Sequence, residues 1–284
     1  MLVRTIKTSG VFNYAVNRAA FIDKVIVDVK GTRRTRSIPR VRKQQNLAIA
    51  GPGRFYARVM RGIDAVAGNG LQLKYGLMRR FENLSPFVLT LWADSRPVTC
   101  AGVLCALDSL LRLGHKSTIS AVELTFDTES IPVWRFAREL CTRARMITEI
   151  YNNGLLATLY VGSARSPLQV RIYRKTFSIV RVEFVLRSVF LRAHGIRRPP
   201  DLLLLRKVDL WKHVGFHEVE HRRGDELPPG VRKPWLQRGL SLPPAMPAAI
   251  VERCLRDEGI NPSRWVVSSE REHLLRKMQS NLVW

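Results

Sequence analysis

The chain has 284 residues, 46% of them hydrophobic, enough for one large or two modest domains with a buried core. Its 47 Lys and Arg against 23 Asp and Glu leave a formal net charge of +24 and an isoelectric point near 11.0, a field that attracts polyanions. Val98–Leu113 and Leu202–Leu205, the longest apolar runs, are too short or carry a charge for a spanning helix, and MLVRTIKTSGVFNYAVNRAA lacks the apolar core of a secretory signal. No membrane partner and a cytoplasmic address are therefore expected.

Phe21–Lys30 alternates apolar and polar residues, the period of a half-buried strand. It runs into KGTRRTRSIPRVRK, where Lys30, Arg33, Arg34, Arg36, Arg40, Arg42 and Lys43 meet no acid. A solvated loop would explain this run. A phosphate-gripping arm explains it too, and is favoured because nothing within the run neutralises it and each phosphate contact releases counterions. Phe87–Ala93 reads as a strand and Pro97–Leu113 as a helix with an apolar face. Cys100 and Cys105 lie in that helix; with Cys141 and Cys254 they show no C-x-x-C spacing, so reduced thiols are expected rather than a disulfide framework or a cysteine zinc site.

Ser117–Thr128 is a further strand that puts Val122, Leu124 and Phe126 on one face and Glu123, Thr125 and Asp127 on the other. Ile131–Thr148 is expected to be helical, and Asn152-Asn153-Gly154 to be a turn. Leu156–Val161 and Leu168–Tyr173 read as paired strands around Gly-Ser-Ala-Arg-Ser, with Ser178–Leu186 as another strand. The pattern is α+β, a central and mostly antiparallel sheet with helices on one face. Beyond Pro200, Leu202–Val214 looks helical and Leu227–Pro247 is rich in proline and basic residues. Two short helices close the chain, with Ser269 and Glu272 as a capping box. Three segments are expected: a strand and basic run over 1–50, a central domain over 51–226 and a Pro-rich linker with terminal helices over 227–284.

SAVELTFDT (Ser120–Thr128), TLYVGSARSPLQVRIYRK (Thr158–Lys175) and VRVEFVLR (Val180–Arg187) come in an order that resembles the replication initiation proteins of rolling-circle plasmids and filamentous phages. Those proteins look like R-I-D-L-x-x-D, then T-x-Y-x-G-S-x-x-S leading into R-I-Y-D-K, then R-x-E-x-x-L. The resemblance implies an endonuclease that binds origin DNA and nicks one strand through a tyrosine, leaving a 5′-phosphotyrosyl link that stores the bond for rejoining. Tyr173 falls at the nucleophile. A phenol of pKa about 10 needs activation, and Arg171, Arg174 and Lys175 supply cations that favour its charged form and would hold the scissile phosphate.

By the same resemblance, Glu123, Asp127 and Glu183 fall at acidic positions that would hold Mg²⁺ or Mn²⁺, hard cations that prefer oxygen. Taken on their own, the three are equally well read as solvated strand carboxylates, and Tyr173 as an aromatic packed in the sheet. Ser163 and Ser166, with Gly162, form a polar turn that either contacts a DNA phosphate or is an ordinary hairpin loop; Arg165, between them, is solvated or on the backbone. The chain departs from the family at Arg174, where an acid is expected, and at Ala121, where an arginine is; a binding protein without chemistry is the alternative. The resemblance leaves room for a helicase partner without deciding it; such initiators often form homodimers, and no pattern here selects an oligomeric state.

His217-Glu218-Val219-Glu220-His221 satisfies H-E-x-x-H, which binds zinc only on a helix. Gly215 before it, Gly224 and Pro228-Pro229 after it, and Leu227 where a third ligand is required argue instead for a short strand or a frayed helix end. A zinc hydrolase is thus a distant third. Trp235, between Lys233-Pro234 and Arg238, is the tryptophan best placed in sequence for a DNA contact.

Overall fold

The computed structural model describes residues 18–30, 48–52, 55–63, 68–77, 87–94, 96–111, 116–129, 133–142, 144, 146–216, 218–221, 265–268 and 270–283. Arg33, Arg34, Arg36, Arg40, Arg42, Lys43, Trp235 and the Pro-rich run over 227–247 lie outside them.

The strands are β1 (Phe21–Lys30), β2 (Ala48–Gly51), β3 (Tyr56–Ile63), β4 (Gly70–Leu77), β5 (Phe87–Trp92), β6 (Lys116–Glu129), β7 (Leu140–Thr142), β8 (Ile147–Asn152), β9 (Leu155–Val161), β10 (Leu168–Thr176) and β11 (Ile179–Arg187). All but β7 join one antiparallel ten-stranded sheet in the order β2-β3-β4-β5-β1-β6-β11-β10-β9-β8. The expected α+β class with a central antiparallel sheet is therefore what the chain adopts. The first segment is not separate from it, because β1 lies inside the sheet between β5 and β6.

Period-two alternation gives the sheet its two faces. Val122, Leu124 and Phe126 of β6 and Val182, Phe184 and Leu186 of β11 are fully buried on one face. Phe126, Phe184 and Trp211 meet edge-on there, with ring centroids 5.5 to 6.0 Å apart, the offset geometry that aromatic quadrupoles favour. Trp211 belongs to a 3₁₀ turn, Leu210–Lys212, and its Nε1 donates to Gln279 Oε1 in the helix Glu270–Ser280. Gln279 in turn donates to the carbonyls of Leu205 and Val208, so this helix is latched to the core side by a fully used amide. No described helix is long and apolar enough to cross a membrane.

Several local expectations change. The segment expected as one helix over Ile131–Thr148 is helical only over Val133–Glu139, and then forms β7 and β8. The end of that segment, Ile147 and Thr148, belongs instead to β8, which completes the sheet edge by pairing with β9, and tertiary pairing overrides a weak local signal. The tight turn at Asn153 (φ 50°) and Gly154 (φ 76°) fixes that pairing, as positive φ at both central residues matches the strand twist. Leu202–Val214 is not one helix either. Pro199–Arg206 is a 3₁₀ run in which Asp201 accepts the backbone N–H groups of Arg197 and Arg198, and β12 (Val214–Phe216) pairs with β7.

Candidate functional site

The face of the sheet opposite Phe126 and Phe184 is polar. Period two brings Glu123, Thr125 and Asp127 of β6, Arg181 and Glu183 of β11, and Arg171, Tyr173 and Lys175 of β10 to the same side, with Arg181 opposite both Asp127 and Tyr173, and Arg171 opposite Glu183. On β1 a register shift between Ile22 and Lys24 leaves Asp23 as an extra residue. Asp23 and Lys24 join the cluster through their contacts with Arg181 and Glu123.

Four carboxylates and four cations alternate across this patch. Arg181 grips Asp127 with Nε to Oδ1 at 2.6 Å and Nη2 to Oδ2 at 2.8 Å, a two-toothed pairing that suits a planar guanidinium. Its Nη1 reaches Asp23 Oδ1 at 3.2 Å and stands 3.9 Å from Glu183 Oε1. Lys24 Nζ lies 3.2 Å and Arg171 Nη1 3.6 Å from Glu123 Oε1, and Arg171 Nη1 is 3.7 Å from Glu183 Oε2. Lys175 Nζ is 3.9 Å from Asp127 Oδ2. Burial is graded: the Asp127 and Arg181 side chains are 0% and 4% exposed, whereas those of Arg171 and Lys24 are 30% and 36% exposed. The site thus has a dry floor and an accessible cationic rim.

Tyr173 sits between the two. Its hydroxyl donates to Glu183 Oε1 at 2.5 Å, a short charge-assisted hydrogen bond. Burial, then the Glu183 charge and that hydrogen bond, push the phenol pKa above its ordinary value, with Arg181 pulling the other way. Burial also raises the Glu183 carboxyl, against the Tyr173 hydrogen bond, which lowers it. Burial, followed by the repulsion of Arg181, brings Lys175 down to about 7, although Asp127, Asp23 and Glu183 oppose the shift. The site therefore holds a phenol with a carboxylate acceptor already in hydrogen-bond reach and an amine that titrates near neutrality.

The expected site residues separate into two groups. Glu123, Asp127, Arg171, Tyr173, Lys175 and Glu183 come together. Arg174 is exposed, and alternation along β10 turns it to the face opposite Tyr173 and Lys175. Ser163, Arg165 and Ser166 lie in the β9–β10 loop at the far end of β10. Ser166 Oγ accepts the Ser163 N–H at 2.9 Å and lies 3.0 Å from Ser163 Oγ, while Gly162 takes φ 85° to make the turn. Both serine hydroxyls thus close the hairpin, and Arg165 is exposed beside them. Asp23, Lys24 and Arg181 were not anticipated. Arg181 is the arginine of the R-x-E-x-x-L pattern and stands two residues before Glu183, so both that pattern and the strand period carried the signal; Asp23 reaches the site through an irregularity in pairing that alternation does not announce.

The three carboxylates do not fit one divalent ion as they stand. No group of three His, Cys, Asp or Glu side chains among the described residues is arranged to hold a metal. Asp127 has both oxygens on Arg181, and Glu123 and Glu183 face Lys24, Arg171 and Tyr173. Thr125 Oγ1 is buried beside them with no hydrogen-bond partner, but a single neutral hydroxyl is a poor donor set for Mg²⁺ or Mn²⁺. The H-E-x-x-H segment fares no better. Glu218–His221 is a strand, β13, paired with β14 (Trp265–Ser268), the short strand that the sequence offered in place of a zinc-binding helix, while His217 lies outside the described residues.

No family model and no curated protein matches the chain.

Proposed function

We propose that this protein binds DNA through its basic surface and cleaves one strand with Tyr173, as a replication initiator acting at an origin. The observation that carries this reading is the Tyr173–Glu183 hydrogen bond on a polar sheet face ringed by Arg171, Arg181 and Lys175. Glu183 accepts the phenolic proton as Tyr173 Oη attacks phosphorus; the new O–P bond forms as the P–O3′ bond breaks. The departing 3′ oxygen takes a proton from solvent or from the Lys175 ammonium, and the 5′ phosphate stays on Tyr173. Arg171, the more exposed guanidinium, meets the phosphate oxygens and stabilises the charge they gain in the transition state. Rejoining is the same sequence reversed, with Glu183 returning the proton.

A second reading has its own observation. The same hydrogen bond that positions Tyr173 also holds its phenol protonated, and each carboxylate of the patch already has a protein partner, as in a structural ion-pair lattice. On that reading the chain binds DNA or RNA without chemistry. Incubation with supercoiled plasmid carrying the flanking DNA, followed by denaturing electrophoresis, separates the two. A relaxed circle with covalently attached protein, absent in Tyr173→Phe, supports cleavage; equal behaviour of wild type and variant supports binding alone.

A further inference from the structure

Carboxylate-rich phosphoryl-transfer centres ordinarily gather their acids around a metal ion that neutralises them and offsets the charge of the reacting phosphate. Here the acids gather around a guanidinium. Arg181 spends Nε and Nη2 on Asp127, points Nη1 at Asp23 and lies within 3.9 Å of the Glu183 oxygen that accepts the Tyr173 proton. Its carbon also sits 5.2 Å from the centroid of the Phe21 ring, which backs the guanidinium with a cation–π contact. Against the desolvation that burial imposes, the Asp127 hydrogen bonds and charge raise the Arg181 pKa further, so the group is a permanent cation.

A divalent ion would need oxygens at about 2.0 to 2.6 Å, and both Asp127 oxygens and Asp23 Oδ1 are held by Arg181. Entry of the ion would drive two positive centres together in a site where Arg181 is 4% exposed and has no water to retreat into. We infer that Arg181 occupies the cation position of this centre, and that the centre takes no divalent metal: the guanidinium bridges Asp127 and Asp23 and supplies the fixed positive charge behind Tyr173. For its chemical consequence, strand cleavage that survives a chelator, this rests on the tyrosine reading above; for binding it does not. Arg181 is on these grounds a positioning residue, since it touches the acids and not the DNA.

The test is a Mn²⁺ titration of the full chain followed by electron paramagnetic resonance, with adduct formation measured in parallel in EDTA. Wild type is expected to show no saturable one-equivalent site, and folded Arg181→Met to gain one, because Asp127 and Asp23 then lose the guanidinium that bridges them. One equivalent of Mn²⁺ bound by wild type and lost in Asp127→Asn would overturn the assignment, as would a folded Arg181→Met that still binds none. The wild-type titration decides the matter even if Arg181→Met does not fold. Cleavage that EDTA abolishes and Mn²⁺ restores would likewise overturn it. If wild type binds no Mn²⁺ and forms no adduct under any condition, the Arg181 assignment stands and the tyrosine reading fails, so the two are separable.

Discussion

The Tyr173 hydroxyl and Glu183 Oε1 are 2.5 Å apart although their residues are not cross-strand partners: Tyr173 pairs with Arg181, and Glu183 with Arg171. The contact is diagonal, spanning one step along β11, and it places a proton acceptor and two guanidinium groups around one phenol. Tyr173→Phe is expected to abolish covalent adduct while leaving DNA affinity within about two-fold, and to cost about 1–3 kcal/mol of stability by stripping a buried carboxylate of its donor. Gel assay, filter binding and urea denaturation measure the three quantities. Glu183→Gln, which keeps a hydrogen-bonding shape and loses the base, should slow adduct formation by roughly 10²–10⁴-fold.

The buried Arg181–Asp127 pair should be costly to break and cheap to replace. Arg181→Met is expected to lose about 3–5 kcal/mol because it strips the buried Asp127 carboxylate of both its guanidinium hydrogen bonds. The Arg181→Met, Asp127→Leu double variant should lose much less than the sum of the Arg181→Met and Asp127→Leu singles. Chemical denaturation of the four proteins forms a complete double-mutant cycle, and additive losses would argue against a coupled pair.

Lys175 gives stability a dependence on pH. Its folded pKa of about 7 lies below the ordinary lysine value of about 10.4, so between those limits the unfolded chain binds a proton that the folded chain does not. This group's contribution to stability therefore rises with pH across that window, and its full penalty is present below pH 7. Lys175→Met should stabilise the protein more at pH 6 than at pH 9, as read from urea midpoints at the two values.

Gly162 and Gly154 both take positive φ, yet they should differ in tolerance. A Cβ at Gly162 would stand 3.0 Å from the Leu168 carbonyl oxygen, whereas one at Gly154 meets nothing within 4 Å. Gly154→Ala should cost roughly 1–2 kcal/mol for the left-handed backbone alone, and Gly162→Ala more than that. Thermal melts of the two variants provide the comparison.

DNA affinity should fall steeply with salt. Each phosphate neutralised contributes about −0.9 to the slope of log K against log salt, so replacing Arg33, Arg34 and Arg36 by glutamine should flatten that slope by up to about three if all three reach phosphates. An unchanged slope would assign the basic run to solvent.

Strand periodicity made β1, β5, β6, β9, β10 and β11 legible, and with them the side of the sheet on which Glu123, Asp127, Tyr173 and Glu183 fall. What alternation does not encode is which strands lie side by side. That Arg181 meets Asp127 and Tyr173 together follows from β11 lying between β6 and β10, and Asp23 joins them only through the irregular pairing of β1. The segment after Glu139 was illegible for a different reason: β8 needs a partner, β9, that lies beyond the turn at Gly154, and nothing within the expected helix announces that pairing. Arg174, read as a neighbour of Tyr173 because it is adjacent in the chain, points away for the same reason that makes Tyr173 and Lys175 companions.

The place of β1 has a consequence for biogenesis. It is the earliest-made described strand, yet it is flanked by β5 and by β6, whose Thr125 pairs with Phe21 more than a hundred positions away. As the chain leaves the ribosome, β1 must wait with one ladder open until β6 emerges, a high-contact-order closure that slows folding and exposes an apolar edge meanwhile. Loss of the first thirty residues would split the sheet into two half-sheets, β2 to β5 and β6 with β8 to β11, each with a new unpaired margin, and such a truncated chain should accumulate in inclusion bodies rather than as a shortened native protein.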